Sequence, residues 1–429
     1  KGAPEEIIAV CASVEQGNKV VPLSGAHGPD LLPVVRGLNE EGFRVIAVAY
    51  KHIPVSKTVC SGADESELVL AGYVAFLDPP KESAAGAVRA LREHGVRVKV
   101  LTGDNEVVTR KVCTMVGIEP GTVVLGSDLE RMDDATLAQV AARTGVFAKL
   151  APEQKARIIA ALRGGGDVVG YLGDGINDGL ALKAADVGVS VEGAADIAKE
   201  SADIILLEKS LLVLKEGVIE GRRVFANIVK YIRMGASSAF GNMLSVVGAS
   251  AFLPFLPLAP VQVLLNNLLY DVSQTALATD GVDATYLAQP RKWDLGNIGR
   301  YMLVFGPISS VFDYATFFTL LYAFGALEDQ ALFQTGWFVE SVLSQTLIVH
   351  VIRTSGVPFR DSTAAAPLLL TTIAVCAAAA WLPYSGFAQL LGLAPLPSAY
   401  WLALGGILLC YLLLTQSVKA ALVRRFGLD

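Results

Sequence analysis

The hydrophobic and polar positions divide the chain into two halves with different periods. Up to about residue 225, short runs rich in β-branched residues alternate with stretches in which apolar residues recur every three or four positions. This pattern predicts strands at 44–50, 73–78, 96–103, 122–126, 146–150, 167–173, 187–191 and 203–208. Amphipathic helices at 82–95 and 152–164 lie among the segments between them. Strands that are apolar on both faces and joined by helices predict a doubly wound, Rossmann-like α/β fold with a parallel sheet. From Asn227 onward the pattern becomes six apolar stretches, each near the roughly 20 residues that cross a bilayer. They run at about 228–254, 260–281, 299–325, 331–352, 365–385 and 399–421. The expected architecture is an α/β cytosolic domain followed by an all-α bundle of six transmembrane helices.

Composition agrees with this division. Of the 429 residues, 53% are hydrophobic and 18% charged, which is too apolar for a purely soluble enzyme. A net charge of −6 with no basic run predicts no nucleic-acid partner. The five cysteines show no CxxC spacing, so a reduced cytosolic head without a disulfide framework is expected. The chain opens on Lys1 without an initiator Met and reads as a fragment. Beyond Arg233, the basic residues are Arg291, Lys292, Arg300, Arg353, Arg360, Lys419, Arg424 and Arg425. They fall in alternate loops and after the last helix, whereas a remaining loop carries Glu328 and Asp329. The positive-inside rule then puts the α/β domain, the basic loops and the C-terminus in the cytosol.

Parallel sheets carry their chemistry at the carboxyl ends of their strands. Four polar clusters are expected there: Asp78 to Lys81, Thr102-Gly103-Asp104, Lys155, and Asp174 with Asn177 and Asp178. Thr-Gly-Asp taken alone also reads as an N-cap and turn, and Lys155 as a solvated residue in a helix's first turn. The GDGIND run demands more than a simple turn. Together the clusters suit phosphoryl transfer. Thr102 and Gly103 hold phosphate oxygens, Lys155 offsets their charge, and Asp174 offers Mg²⁺ a hard oxygen ligand. Asn177 and Asp178 orient that turn.

KGAPE, DPPK, TGD, PEQK and GDGIND, in this order, resemble the cytosolic domains of P-type ATPases, a branch of the haloacid-dehalogenase superfamily. The resemblance implies the end of a nucleotide-binding domain at 1–75, with Lys1 and Gly2 near the adenine. It implies a phosphorylation domain at 76–225, entered through a hinge at Asp78 and Lys81, and a membrane domain at 226–429. Lys81 stands where the family often has Arg, keeping the charge without the bidentate fork. The resemblance also implies ATP with Mg²⁺ and an aspartyl-phosphate intermediate. The family's acceptor lies in a DKTGT motif, which does not occur in these residues. The chain therefore resembles a carboxyl-terminal half, inactive by itself, whose partner is the missing amino-terminal half.

Ionisable and amide groups inside apolar helices are costly and thus functional candidates. Ser238, Asn242 and Ser245 make one helical stripe, Asn267, Asp271 and Gln274 a second, and Ser309, Asp313 and Thr316 a third. Interhelical hydrogen bonding is the competing reading, and it suits the serines and Thr316. Glu340, Gln345 and His350 stay open, Glu340 being near the outer surface on this reading. NMLSVVGAS, LLNNLLYDVSQ and GWFVESVLSQTLIVHVIRT resemble the bacterial magnesium-transporting branch. That resemblance implies Mg²⁺ import across the bacterial plasma (inner) membrane, in contact with membrane lipid. It also places ion-site residues at Asn242, Asp271 and Asp313, with Asn267 a weaker candidate. A pump for Ca²⁺ or H⁺ and a non-catalytic membrane fragment are the alternatives.

Overall fold

Among the described residues, ten strands form in the first half, and eight of them coincide with the segments predicted from periodicity. They are β1 (Cys11–Gln16), β2 (Lys19–Pro22), β3 (Phe43–Tyr50), β4 (Leu68–Leu77), β5 (Val100–Leu101), β6 (Val123–Leu125), β7 (Val146–Ala148), β8 (Gly170–Leu172), β9 (Val187–Val191) and β10 (Ile204–Leu206). The computed structural model describes residues 1–17, 19–23, 28–54, 61–77, 79–208, 210–354 and 356–426. Two units are distinguished, Lys1–Glu216 and Gly217–Asp429.

The strands do not make one parallel sheet. β3 and β4 were expected in it, but they pair antiparallel within a four-stranded sheet of order β2-β1-β4-β3. The reason lies in the side chains: within β3 only Val45 and Ala47, two residues apart, are buried. One face of the strand meets the core, as in antiparallel sheets. In the four-stranded sheet β1 runs parallel to β4 and antiparallel to β2, so it is mixed, whereas the two three-stranded sheets, β5-β7-β6 and β8-β9-β10, are wholly parallel. Two helices matter for the site: α1 (Ser83–Glu93) and α2 (Pro152–Gly164). α2 buries Ile158 and Leu162 in a cluster that Leu101 of β5 and Val169, just before β8, also join. The two parallel sheets thus share apolar packing, while β5 and β8 each keep one edge unpaired among the described residues.

The second half is helical: α3 (Leu212–Ala249), α4 (Pro260–Thr275), α5 (Leu295–Phe318), α6 (Gln330–Ile352), α7 (Ala366–Trp381) and α8 (Ser398–Phe426). Among the described residues, four segments are long and apolar enough to cross a membrane: Leu295–Ala323, Gln330–Ile352, Ala366–Tyr384 and Ser398–Arg425. The first two predicted spans differ from expectation. α3 begins at Leu212, well before the predicted start at 228, and its first half carries Lys215, Glu216, Glu220, Arg222 and Arg223. α4 has 16 residues and then tightens into a 3₁₀ turn at Ala276–Thr279. At about 1.5 Å per residue it falls short of a hydrocarbon core of about 30 Å.

α6 is buried on all sides, with 89% of its apolar window inside the protein. Its C-terminal end is capped from α8: Lys419 Nζ donates to the carbonyls of Val351, Thr354 and Gly356 at 2.9, 3.1 and 2.7 Å. Nearby, the fully buried Asp280 accepts from Arg353 Nε at 2.9 Å, Lys230 Nζ at 3.2 Å and the Ala365 amide at 3.2 Å. One carboxylate thereby ties α3 to the segments that follow α4 and α6.

α3 and α5 cross on glycine. A Cβ on Gly241 would sit 2.9 Å from the Gly306 carbonyl oxygen, and one on Gly306 would sit 2.7 Å from the Phe240 ring. Ser310 Oγ donates to the Gly241 carbonyl at 2.8 Å across the contact. Gly241 with Ser245 and Gly306 with Ser310 are each four apart, the small-residue spacing of close helix pairs. Gly306→Val is expected to force the helices apart and cost about 1–3 kcal/mol. A lowered thermal midpoint of the whole protein in detergent is the readout; an unchanged midpoint would show that the crossing tolerates a side chain.

Candidate functional site

In the first unit, strand ends and turns set the predicted residues in two groups, one at Thr102, Gly103 and Asp104 and one at Lys155, Asp174, Asn177 and Asp178. β5 delivers Thr102, whose amide donates to the Phe147 carbonyl at 3.1 Å and whose carbonyl accepts from the Leu150 amide at 3.0 Å. Thr102 Oγ1 accepts from the Asp104 amide and donates to Asp104 Oδ2, both at 3.1 Å, and the Lys149 amide donates to the Asp104 carbonyl at 2.8 Å. The following helix, Glu106–Met115, is capped by Asn105, whose side chain accepts from the Val108 amide. Capping is therefore Asn105's role, and the Thr-Gly-Asp turn is built around its own hydroxyl. Gly103 is exposed within it.

The chain after Leu150 leads straight into α2, whose first turn carries Lys155. This lysine is buried, with Nζ 2.8 Å from Asp178 Oδ1. The same oxygen accepts from Tyr171 Oη at 2.7 Å, and Asp178 Oδ2 accepts from the Gly175 amide at 3.0 Å. Burial pushes the Asp178 carboxyl up, but the hydrogen bonds from Lys155, Tyr171 and Gly175 outweigh it and hold the group below the usual carboxylate range. The Tyr171 hydroxyl is pushed up by burial and by Asp178 beside it. Close packing here requires glycine, because a Cβ on Gly173 would lie 2.6 Å from Asp178 Cβ. With its acceptors in use, Asp178 fixes the lysine and the turn. Asp174 and Asn177 project from the same turn as exposed side chains.

Two contributors escaped the sequence reading. Tyr171 looked like an ordinary strand residue, and its position before the turn was the only available signal. Arg44 of β3 lies 3.8 Å from Asp104 Oδ1, linking the four-stranded sheet to the Thr-Gly-Asp turn. Nothing in its local pattern marks it. Gly2 pairs with Ala47 of β3 through two backbone hydrogen bonds of 3.1 Å, which fixes exposed Lys1 beside the same strand. Lys81 is exposed. Asp78 lies outside the described residues.

In the second unit, Asp313 of α5 is buried against α3 and α6. Its Oδ2 accepts from Ser245 Oγ at 2.5 Å, and its Oδ1 accepts from Trp337 Nε1 at 3.0 Å. Glu340 is likewise buried and hydrogen-bonds to Asp313, so it belongs to this cluster and not to an outer surface. Gln345 Nε2 extends the network to Ser341 Oγ at 2.6 Å and to Asn242 Oδ1 at 3.4 Å. Asp313 and Asn242 therefore share a polar cluster centred on α6. On α4 the residue that reaches it is Asn266, which donates to Ser341 Oγ at 3.3 Å. Asn267 and Asp271 lie on the exposed side of α4, outside the cluster, although Gln274 from the same stripe is buried.

Similarity to known proteins follows the same division. A model of haloacid dehalogenase-like hydrolases matches residues 38–186, and one of the C-terminus of cation transporting ATPases matches residues 255–421. The chain is 53% identical to the magnesium-transporting ATPase, P-type 1, of Escherichia coli K12 over 429 residues, which is 100% of this chain and 48% of that protein. Identity to the enzyme of the same name in Salmonella typhimurium LT2 is 52% over the same shares. Identity to the calcium-transporting ATPase of Bacillus subtilis is 31% over 63% of this chain and 31% of that protein. The chain spans about half the length of the magnesium-transporting relatives it matches. The hydrolase fold with its lysine–aspartate turn, the apolar helices and full-length similarity lead to one conclusion: the chain belongs to the P-type cation-transporting ATPases.

Proposed function

We propose that this chain is part of an ATP-driven pump that imports Mg²⁺ across a bacterial plasma membrane through an aspartyl-phosphate intermediate. The observation that carries the reading is the buried Lys155–Asp178 pair beside exposed Asp174, a few residues beyond the carboxyl end of a parallel strand. Thr102 and Gly103 offer a hydroxyl and an amide to phosphate oxygens, and the Lys155 ammonium offsets their charge in a partly dehydrated site. Arg44, already at this turn, adds a guanidinium for the nucleotide phosphates. Lys1 and Gly2, on the β3 edge of the four-stranded sheet, fall to the nucleotide domain at 1–75, and Lys81 to the hinge of the phosphorylation domain at 76–225.

The donor set suits Mg²⁺ carried in with ATP. Among the described residues no three His, Cys, Asp or Glu side chains gather as a metal cage. A single hard carboxylate, Asp174, complemented by phosphate and water, is how Mg²⁺ is commonly held. Bound there, the ion supplies charge neutralisation for phosphoryl transfer. No DKTGT sequence occurs in the chain. The unpaired edges of β5 and β8 would accept a strand bearing the acceptor aspartate from elsewhere in the pump.

On this reading residues 226–429 make six spans, α3 and α4 completing the set, with the basic loops and C-terminus cytosolic. Asn242, Asp313 and Asp271 serve the transported ion, with Asn267 secondary. Asp271→Asn is expected to raise the Mg²⁺ concentration for half-maximal ATPase stimulation about tenfold while leaving the fold intact, since its side chain is exposed. Asp313→Asn is expected to reduce both stimulation and stability, because it disturbs buried contacts. ATP hydrolysis by the whole protein in lipid, titrated with Mg²⁺ and then Ca²⁺, tests the function. Stimulation by Ca²⁺ in place of Mg²⁺ would sink the magnesium assignment.

A further inference from the structure

A cavity of about 230 Å³ lies between the C-terminal end of α6, the loop that follows it and α8. Leu347, Leu412, Leu413 and Phe359 supply apolar walls, and His350 and Gln416 also line it. Leu413 and Phe359 are exposed, at 60% and 59%, so the cavity borders the outer surface of the helices. The loop is firmly built. The Phe359 amide donates to the Ser362 carbonyl at 3.1 Å, and Asp361 Oδ2 accepts from the Val357 amide at 2.7 Å. Phe359 itself holds a left-handed backbone, φ 61°, which disfavours a side chain of this size, and its ring stacks on His350 with centroids 5.4 Å apart.

His350 is 5% exposed. With the Thr372 hydroxyl donating to the Leu368 carbonyl at 2.8 Å, its 2.9 Å contact with His350 Nε2 assigns the ring N–H to Nε2. Nδ1 is then a bare acceptor, and it is buried without a partner. Gln416 Oε1, on the same cavity, is buried without a partner as well. Two unmet acceptors in an apolar, surface-bordering cavity call for an occupant with an apolar body and a hydrogen-bond donor.

We infer that this cavity is a binding site for a bilayer phospholipid whose headgroup carries an ammonium donor, as in phosphatidylethanolamine. The ammonium meets His350 Nδ1 and Gln416 Oε1, and methylenes lie along Leu347, Leu412 and Phe359. Arg360, exposed one residue beyond Phe359, supplies a guanidinium for the lipid phosphate. A free amine in water would gain nothing from the apolar walls, which favours the bilayer as its source. The inference rests on the membrane assignment of these helices and is independent of which ion is pumped.

The test uses the whole protein in nanodiscs, with retained lipid counted by native mass spectrometry after extraction. Phosphatidylethanolamine is compared with phosphatidylcholine of identical acyl chains, whose trimethylated nitrogen has no N–H. Retention of the ethanolamine lipid is expected to be about tenfold greater, the scale of one charge-assisted hydrogen bond. Leu413→Trp, which fills the cavity from its exposed side and leaves His350 in place, should reduce that retention to the phosphatidylcholine level. His350→Phe should do the same. Equal retention of the two lipids by the wild-type protein, or undiminished preference in Leu413→Trp, would overturn the site.

Discussion

Asp174→Asn should abolish ATP turnover by the whole pump while leaving its thermal stability unchanged, whereas Lys155→Met should lose both. Asp174 is exposed, so on the proposed function replacing its charge removes the Mg²⁺ ligand and little of the fold. Losses of about 10²–10³-fold or more are typical when one preorganised electrostatic contact is removed from a transition state. Lys155 differs because its ammonium compensates the buried Asp178 carboxylate. Removing one partner of such a pair leaves the other charged and desolvated, at a cost of about 3–5 kcal/mol. Steady-state hydrolysis and thermal unfolding measured side by side separate the two variants. Near-normal turnover in Asp174→Asn would remove that residue from the chemistry.

The same pair sets an acid limit. Asp178 is held below the usual carboxylate range in the folded protein, so its stabilisation is fully present above its unfolded value of about 3.9. That stabilisation is lost as pH falls through the folded value. Asp178→Asn should therefore flatten the acid side of the stability–pH curve. An acid limb identical to wild type would show that other carboxylates govern it.

The second large effect is expected at Asp280, which no predicted motif contains. Asp280→Asn leaves Arg353, 4% exposed, without its carboxylate and weakens the hold on Lys230. A loss of about 3–5 kcal/mol is expected, read as a lowered unfolding midpoint in detergent. The double variant Asp280→Leu with Arg353→Met should recover a substantial part, because it removes both charges together. If the single variant is as stable as wild type, the cluster is not a structural anchor.

What was legible in the sequence follows from the range of each interaction. β-branched runs bounded by glycine and polar turns identified the strands, since that signal is local. Pairing was less legible: the runs at 44–50 and 73–78 resembled parallel strands until the alternate burial of Val45 and Ala47 disclosed an antiparallel edge. Thr102, Lys155, Asp174 and Asp178 stood out because short motifs carried them. Arg44 and Asp280 did not, because their partners, Asp104 and Arg353, lie 60 and 73 residues away and no local pattern encodes such contacts. Helical stripes singled out Asp313 for the transported ion, and it lies buried in a polar cluster, yet α4 turns Asn266 inward where Asn267 was expected. One residue is 100° on a helix, a precision that a stripe of three positions does not provide.

The encirclement of α6 bears on how the protein is made. Asp313, Asn266 and Asn242, which hydrogen-bond to Glu340, Ser341 and Gln345, all precede α6 in the chain. Tyr400, whose hydroxyl donates to the Gly336 carbonyl, follows it. A segment with a buried glutamate, two buried glutamines and a buried histidine leaves the insertion machinery with polar groups that lipid cannot satisfy. It must therefore enter a cleft already formed by α3, α4 and α5, and stay near the translocon until α8 closes over it. A pause or truncation during synthesis between residues 352 and 398 should thus produce a quality-control substrate, whereas stopping before α6 should not.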